Sequence, residues 1–102
     1  MCVLLHGIEF PPTEIAAFCQ RHRVRRLSVF GSILTDAFVP ESDIDMLVEF
    51  ETDATPGMIG FGGMILELTR MLGRRVDLRT PEDLSRHFRP YVMREARTLH
   101  AA

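Results

Sequence analysis

Residues 27–50 read LSVFGSILTDAFVPESDIDMLVEF, and the order of residue types along them decides how the rest of the chain is read. Leu27 to Phe30 is a short apolar run that reads as a strand, stopped by Gly31-Ser32, and Ser32 is placed to open a short helical turn that must end before Pro40. Asp43 to Phe50 then alternates, with Ile44, Met46, Val48 and Phe50 on one face and Asp43 and Asp45 on the other. The pattern predicts a strand, a sharp corner, and a second strand with two acids on its polar face.

Working outward, Thr13 follows Pro11 and Pro12 and can cap a helix whose apolar positions Ile15, Phe18 and Cys19 recur at helical spacing. Downstream, Phe61, Met64, Ile65, Leu68, Met71 and Leu72 recur at three- and four-residue steps and stop at Gly73, which predicts a longer helix. Arg75 to Arg79 (RVDLR) alternates again, with Val76 and Leu78 facing the core and Asp77 opposite. Thr80-Pro81-Glu82-Asp83 has the cap, the first-turn Pro and the acids of a helix start. Pro90 interrupts that helix, and Tyr91 to Leu99 is predicted to resume it with Val92, Ala96 and Leu99 inward. The expected order is helix, strand, helix, strand, helix, strand, helix around a small sheet.

A chain of 102 residues has material for one hydrophobic core, so residues 1–102 are expected to form a single domain. Apolar residues make up 46% and charged residues 25%, the balance of a folded soluble domain. The formal charge of −2 argues against a long polyanion as main partner. All 12 basic side chains are Arg, and the absence of Lys excludes a P-loop, a kinase strand lysine and Schiff-base chemistry. Two cysteines, Cys2 and Cys19, without a C-x-x-C, suit a reducing cytoplasm and no structural zinc. The first residues lack a signal-peptide pattern, and no uncharged run is long enough to span a bilayer, so a cytoplasmic protein is expected.

The chemistry lies in the middle of the chain. Asp43 and Asp45 are two residues apart on a strand, so their Cα atoms lie roughly 6 to 7 Å apart on one face and their carboxylates can converge. Hard divalent cations such as Mg²⁺ are held by carboxylate oxygens, with water and substrate phosphates completing the shell. If the strand of Asp77 lies beside that of Asp45, three carboxylates can hold two metals about 4 Å apart, the arrangement that serves phosphoryl transfer. Gly31-Ser32 supplies a corner where a phosphate can approach backbone N–H groups and a hydroxyl. The four His residues, His6, His22, His87 and His100, show no ligand or triad spacing and are read as structural. Met58, Ile59 and Phe61 among glycines form an apolar stretch, read as a partner surface or a loop that closes over nucleotide.

FGSILTDAFVPESDIDMLVEF followed by LGRRVDLRTPEDLS resembles the minimal nucleotidyltransferases of the DNA polymerase β-like superfamily, often the antitoxin half of HEPN/MNT toxin-antitoxin pairs, from about Arg25 to the C-terminus. The resemblance implies an α/β (α+β) nucleotidyltransferase fold, a small mixed three-stranded sheet packed with about four helices. It implies that Gly31 and Ser32 contact a triphosphate, that Asp43 and Asp45 bind Mg²⁺, and that Asp77 is the third carboxylate, helping to activate the attacking hydroxyl. The implied reaction is AMP transfer from ATP to a tyrosine of a cognate HEPN-type toxin, in a hetero-oligomer with it. Relatives commonly carry basic residues in the turn after Gly-Ser, where this chain has Ile33, Thr35 and Val39. Charge neutralisation then falls to the metals, Ser32 and Arg75 or Arg79, and weakened catalysis stays open. The alternatives are an antitoxin that neutralises by binding alone, and transfer to a small molecule.

Overall fold

The structure is a computed structural model and describes residues 3–102, so Cys2 lies outside the described residues. The chain opens with a hairpin of β1 (Val3–Leu5) and β2 (Ile8–Phe10), followed by helix α1 (Pro12–Arg21) and strand β3 (Val24–Phe30). A 3₁₀ turn (Gly31–Leu34) leads to β4 (Ile44–Phe50), helix α2 (Met58–Leu72) and β5 (Val76–Arg79). A second 3₁₀ turn (Pro81–Asp83), a short helix α3 (Arg89–Glu95) and β6 (Arg97–Ala101) complete it.

The main sheet has four strands in the order β5-β4-β3-β6, with β4 and β5 parallel and the other pairs antiparallel. Its middle is as the alternation requires. Ile44, Met46 and Val48 are fully buried on one face, together with Leu27 and Val29 of β3 and Val76 and Leu78 of β5. Ile15, Phe18 and Cys19 of α1 and Met64, Leu68 and Leu72 of α2 close that face, and α2 ends at Gly73, whose N–H donates to the Thr69 carbonyl at 2.9 Å. Full burial of a side chain such as Leu68 contributes roughly 1.5–3 kcal/mol. On the opposite face a smaller cluster joins Phe30, Leu47, Leu84 and Val92, which leaves part of the sheet uncovered.

The ends differ from the expected order. The sheet has four strands, not three, because Arg97–Ala101 pairs antiparallel with β3. The helix expected to run to Leu99 stops at Glu95, where Ala96 turns to an extended conformation (φ −60, ψ 140). Leu99 still packs on the main core, from a strand. The helix expected at Thr80 is only one 3₁₀ turn, although the reciprocal cap forms, with the Thr80 N–H donating to Asp83 Oδ2 at 3.0 Å. Among the described residues three α-helices therefore pack on the sheet, not about four. Helix α1 begins at Pro12 with Pro11 at its cap position, and Thr13 lies inside it. The β1–β2 hairpin turns on His6 (φ 50) and Gly7 (φ 77), both left-handed as a two-residue type I′ turn demands. Among the described residues no helix is long and apolar enough to cross a membrane.

Candidate active site

The sheet register assembles the site. Asp45 is the second residue of β4, directly opposite Phe30 on β3 and Asp77 on β5, so the three occupy one row across the open face. Gly31 follows Phe30 with φ +77, in the left-handed region. A Cβ placed on Gly31 would run into Oδ2 of Asp45 and lie 3.3 Å from its Cγ, so only glycine lets the corner sit over this carboxylate. Ile33, 1% exposed, anchors the turn in the main core. The turn is closed by the Thr35 N–H and hydroxyl, both donating to the Ser32 carbonyl at 2.9 Å. Ser32 is thereby held beside Gly31 on a fixed backbone.

The carboxylates have unequal surroundings. Asp43 lies just before β4, where Nε of Arg75 donates to its Oδ1 at 2.8 Å. Asp77 accepts from Nε and Nη2 of Arg79 at 3.4 and 3.2 Å. Among the described residues Asp45 has no ion-pair partner. Burial pushes its carboxyl above the usual aspartate range, the Asp77 charge adds to the rise, Arg79 opposes it, and the Asp43 charge raises it again. Two negative neighbours around a half-buried acid with no cation of its own suit a bound divalent ion chemically. Among the described residues no three acidic, His or Cys side chains are gathered in a metal-holding cluster. Asp43 and Asp77 instead face their arginines, with side chains 40% and 37% exposed. Such exposed pairs are weak and exposed side chains rotate readily, so neither carboxylate is fixed on its arginine.

Of the residues predicted from sequence, Gly31, Ser32, Asp45 and Asp77 are thus brought to one corner, while Asp43 adjoins it and is turned to Arg75. Sequence reasoning missed the wall beside them. A cavity of about 510 Å³ contains Gly31 and Asp45 together with Leu34, Phe88, Tyr91 and Glu95. A second, of about 470 Å³, shares Phe30, Asp45 and Phe88 with it and adds Arg79 and Ser85. The available signal was a stripe: Phe88, the chain's sole Tyr, Tyr91, and Glu95 recur at three- and four-residue steps. None of the four His residues lines either cavity. Met58 and Ile59, 91% and 94% exposed, lie in the first turn of α2 and outside both cavities, so the expected loop over the nucleotide is a helix elsewhere.

Comparison with known proteins identifies the family and the fold. Residues 14–100 match the family described as nucleotidyltransferase domain. The chain is similar to the protein adenylyltransferase MntA of Thermococcus cleftensis, 36% identical over 76 residues that cover 74% of this chain and 75% of that protein. A solved structure provisionally described as a minimal nucleotidyltransferase superposes with a TM-score of 0.69 at 33% identity, over 83% of this chain and 85% of the other. The fold is also that of the complex of tri-AMPylated Shewanella oneidensis HEPN toxin with MNT antitoxin, at a TM-score of 0.63 and 22% identity, over 89% of this chain and 70% of the other. Sequence match, register and glycine corner together make this chain a member of the nucleotidyltransferase domain family.

Proposed function

We propose that the chain transfers AMP from ATP to a tyrosine hydroxyl of a cognate HEPN-type toxin, and that this modification is how it acts as an antitoxin. The observation that carries the reading is the position of Asp45, between a corner that tolerates only glycine and the carboxylate of Asp77. In this reading the Gly31-Ser32 corner receives the triphosphate through backbone N–H groups and the Ser32 hydroxyl. Asp43, Asp45 and Asp77 would hold Mg²⁺, two ions, whose charge stabilises the phosphate oxygens when bound. Asp77 takes the proton of the acceptor hydroxyl as its oxygen bonds to the α-phosphorus and pyrophosphate leaves. Arg79 lines the second cavity with Asp45 and would bring a guanidinium to the phosphates there.

The relatives support the acceptor and the assembly: MntA is a protein adenylyltransferase, and the Shewanella complex joins an AMPylated HEPN toxin to an MNT antitoxin. We read residues 1–102 as one nucleotidyltransferase domain that works in a reducing cytoplasm, in a hetero-oligomer with its toxin. The test incubates the purified chain with ATP labelled on the α-phosphate, Mg²⁺ and the HEPN-type protein encoded beside it. Label on the partner, absent with Asp43→Ala and Asp45→Ala, is expected. Neutralisation without label, unchanged in both variants, would make the chain a binding antitoxin instead.

A further inference from the structure

Residues 35–43, between the glycine corner and β4, contain neither helix nor strand. Asp43 stands at the end of this segment, just before the β4–β5 ladder begins at Ile44 and Val76, so strand pairing alone does not fix it. Val39 and Ser42 close a tight turn, in which the Ser42 N–H donates to the Val39 carbonyl at 2.9 Å and the Val39 N–H donates to the Ser42 hydroxyl at 3.1 Å. These bonds close the turn on itself without tying it to the rest of the fold.

The tie comes from Arg74, which follows the stop of α2 at Gly73. Three carbonyl oxygens converge on its Nη2, those of Val39 at 3.2 Å, Pro40 at 2.8 Å and Ser42 at 2.8 Å. Its Cζ lies 4.9 Å from the centroid of the Phe38 ring, which belongs to the main core, so the guanidinium is seated on the core as well. Among the described residues Arg74 makes no ion pair. A half-buried guanidinium that donates to backbone carbonyls alone acts as a clamp on the chain. The carbonyl of the next residue, Arg75, accepts from the Ile44 N–H at 2.9 Å. Both peptide groups that flank Asp43 are therefore held from one short stretch, the Ser42 carbonyl by the side chain of Arg74 and the Ile44 N–H by the backbone of Arg75.

Resting on the nucleotidyltransferase reading above, we infer that Arg74 is a positioning residue for Asp43: by gripping the 39–42 turn it fixes the backbone from which that carboxylate is offered to the metal. Arg74 lines neither cavity that contains Asp45 and donates to no atom of Asp43, so it acts only through the turn. The neighbouring arginines thus affect Asp43 in opposite senses. Arg75 binds the carboxylate itself and competes for it, whereas Arg74 holds the main chain and leaves the carboxylate free to bind.

The test follows ATP binding to the full chain by calorimetry as Mg²⁺ is titrated, and again with the metal chelated. Arg74→Met keeps an apolar stem over Phe38 and removes the donors. It is expected to raise the Mg²⁺ concentration at half-maximal ATP binding by about tenfold, with metal-free binding of ATP unchanged. Arg74→Lys is expected to restore the parent value to within about twofold, because all three bonds arise from one nitrogen and an ammonium carries three donors. Leu68→Ala, which loosens the core from the other side of the fold's interior, is expected to keep the parent's Mg²⁺ dependence. A shift in Arg74→Met that Leu68→Ala reproduces would reduce Arg74 to general stability and overturn the inference. So would a parent-like Arg74→Met in a protein whose Asp43→Ala variant needs more Mg²⁺. Should Arg74→Met not fold, Arg74→Gln, with its N–H₂ on a shorter stem, is expected to shift in the same direction, and parent-like dependence there overturns the inference equally. A parent chain whose ATP binding ignores Mg²⁺, or one in which Asp43→Ala changes nothing, overturns the metal-dependent nucleotidyltransferase reading itself and the inference with it.

Discussion

The two faces of the central four-stranded sheet are built from the same strands, one residue out of phase, and share almost no properties. On the closed face Ile44, Met46 and Val48 are 0% exposed beneath α1 and α2. On the open face the intervening Asp45 and Leu47 are treated unequally: Leu47 is buried with Val92 and Leu84, while Asp45 is left half-buried among other charges. Along β4, alternation thus sends Ile44, Met46 and Val48 to the closed face and Asp45 to the open one, and a slip of one residue would exchange them. The closed face pins the register, and the register in turn sets Asp45 opposite Asp77.

The sharpest way to separate the faces is Asp45→Asn. Transfer is expected to fall by about a thousandfold or more, since the charge aimed at the reacting phosphate is removed. Stability should move the other way. Burial and the charges of Asp77 and Asp43 raise the Asp45 carboxyl in the folded state, so the native protein holds this proton more tightly than the unfolded chain does. The stability this contributes is complete below the unfolded value and is lost as pH rises through the raised folded value. At neutral pH the ionised side chain therefore opposes folding, and Asp45→Asn is expected to raise Tm by a few degrees. The gain should shrink as pH falls below the ordinary aspartate range. A lower Tm at neutral pH, followed by thermal melts across that range, would mean that Asp45 serves the fold and would break the division between faces.

Leu68→Ala is the matching change on the closed face. Leu68 is 0% exposed, and its truncation is expected to cost about 3 kcal/mol in a denaturant titration, with transfer per folded molecule unchanged well below Tm. Gly31 belongs to both regimes. Gly31→Ala forces a left-handed backbone on a residue with a Cβ and drives that Cβ into the Asp45 carboxylate. It is expected to cost about 1–2 kcal/mol of stability and at least about tenfold in transfer. A loss of stability with full transfer would show that the corner merely turns the chain.

The middle of the chain was legible because two independent signals agree there. From Leu27 to Arg79 the strand alternation and the helical spacing of Met64, Leu68 and Leu72 each match a buried face, and both stops, Gly31 and Gly73, adopt the left-handed conformations that only glycine takes without strain. The ends were illegible for physical reasons. Three-residue strands at Val3–Leu5 and Ile8–Phe10 are too short for a period, and His6-Gly7 is a turn pair without the usual Asn or Asp. At the C-terminus Val92, Ala96 and Leu99 fit a helix by spacing, yet the free edge of β3 captures Arg97–Ala101 as a fourth strand. Asp45 and Asp77 were readable as neighbours on one face because alternation fixes the side each takes once β4 and β5 pair. The pairing of Asp43 with Arg75 was not, since it depends on the parallel register of β4 and β5, whereas Asp77 meets Arg79 within β5 itself.

The smallest expected effect is on the open face and tests what those arginines do. Arg75 donates to Asp43 through Nε at 2.8 Å, with its own side chain 78% exposed. An exposed pair of this kind contributes little, so Arg75→Gln is expected to change stability by less than about 0.5 kcal/mol. Its consequence for function depends on which partner it serves. As a counter-ion to the resting carboxylate, Arg75 competes with Mg²⁺ for Asp43, and its removal is expected to lower the Mg²⁺ concentration for half-maximal transfer by about twofold. As a ligand of the nucleotide's phosphates it would act in the opposite sense, and Arg75→Gln would raise the KM for ATP while leaving the Mg²⁺ dependence alone. Titrating Mg²⁺ at saturating ATP, and ATP at saturating Mg²⁺, distinguishes the two. The carboxylate pairing favours the first outcome, because Arg75 already has a carboxylate within hydrogen-bond distance and lines neither cavity that contains Asp45.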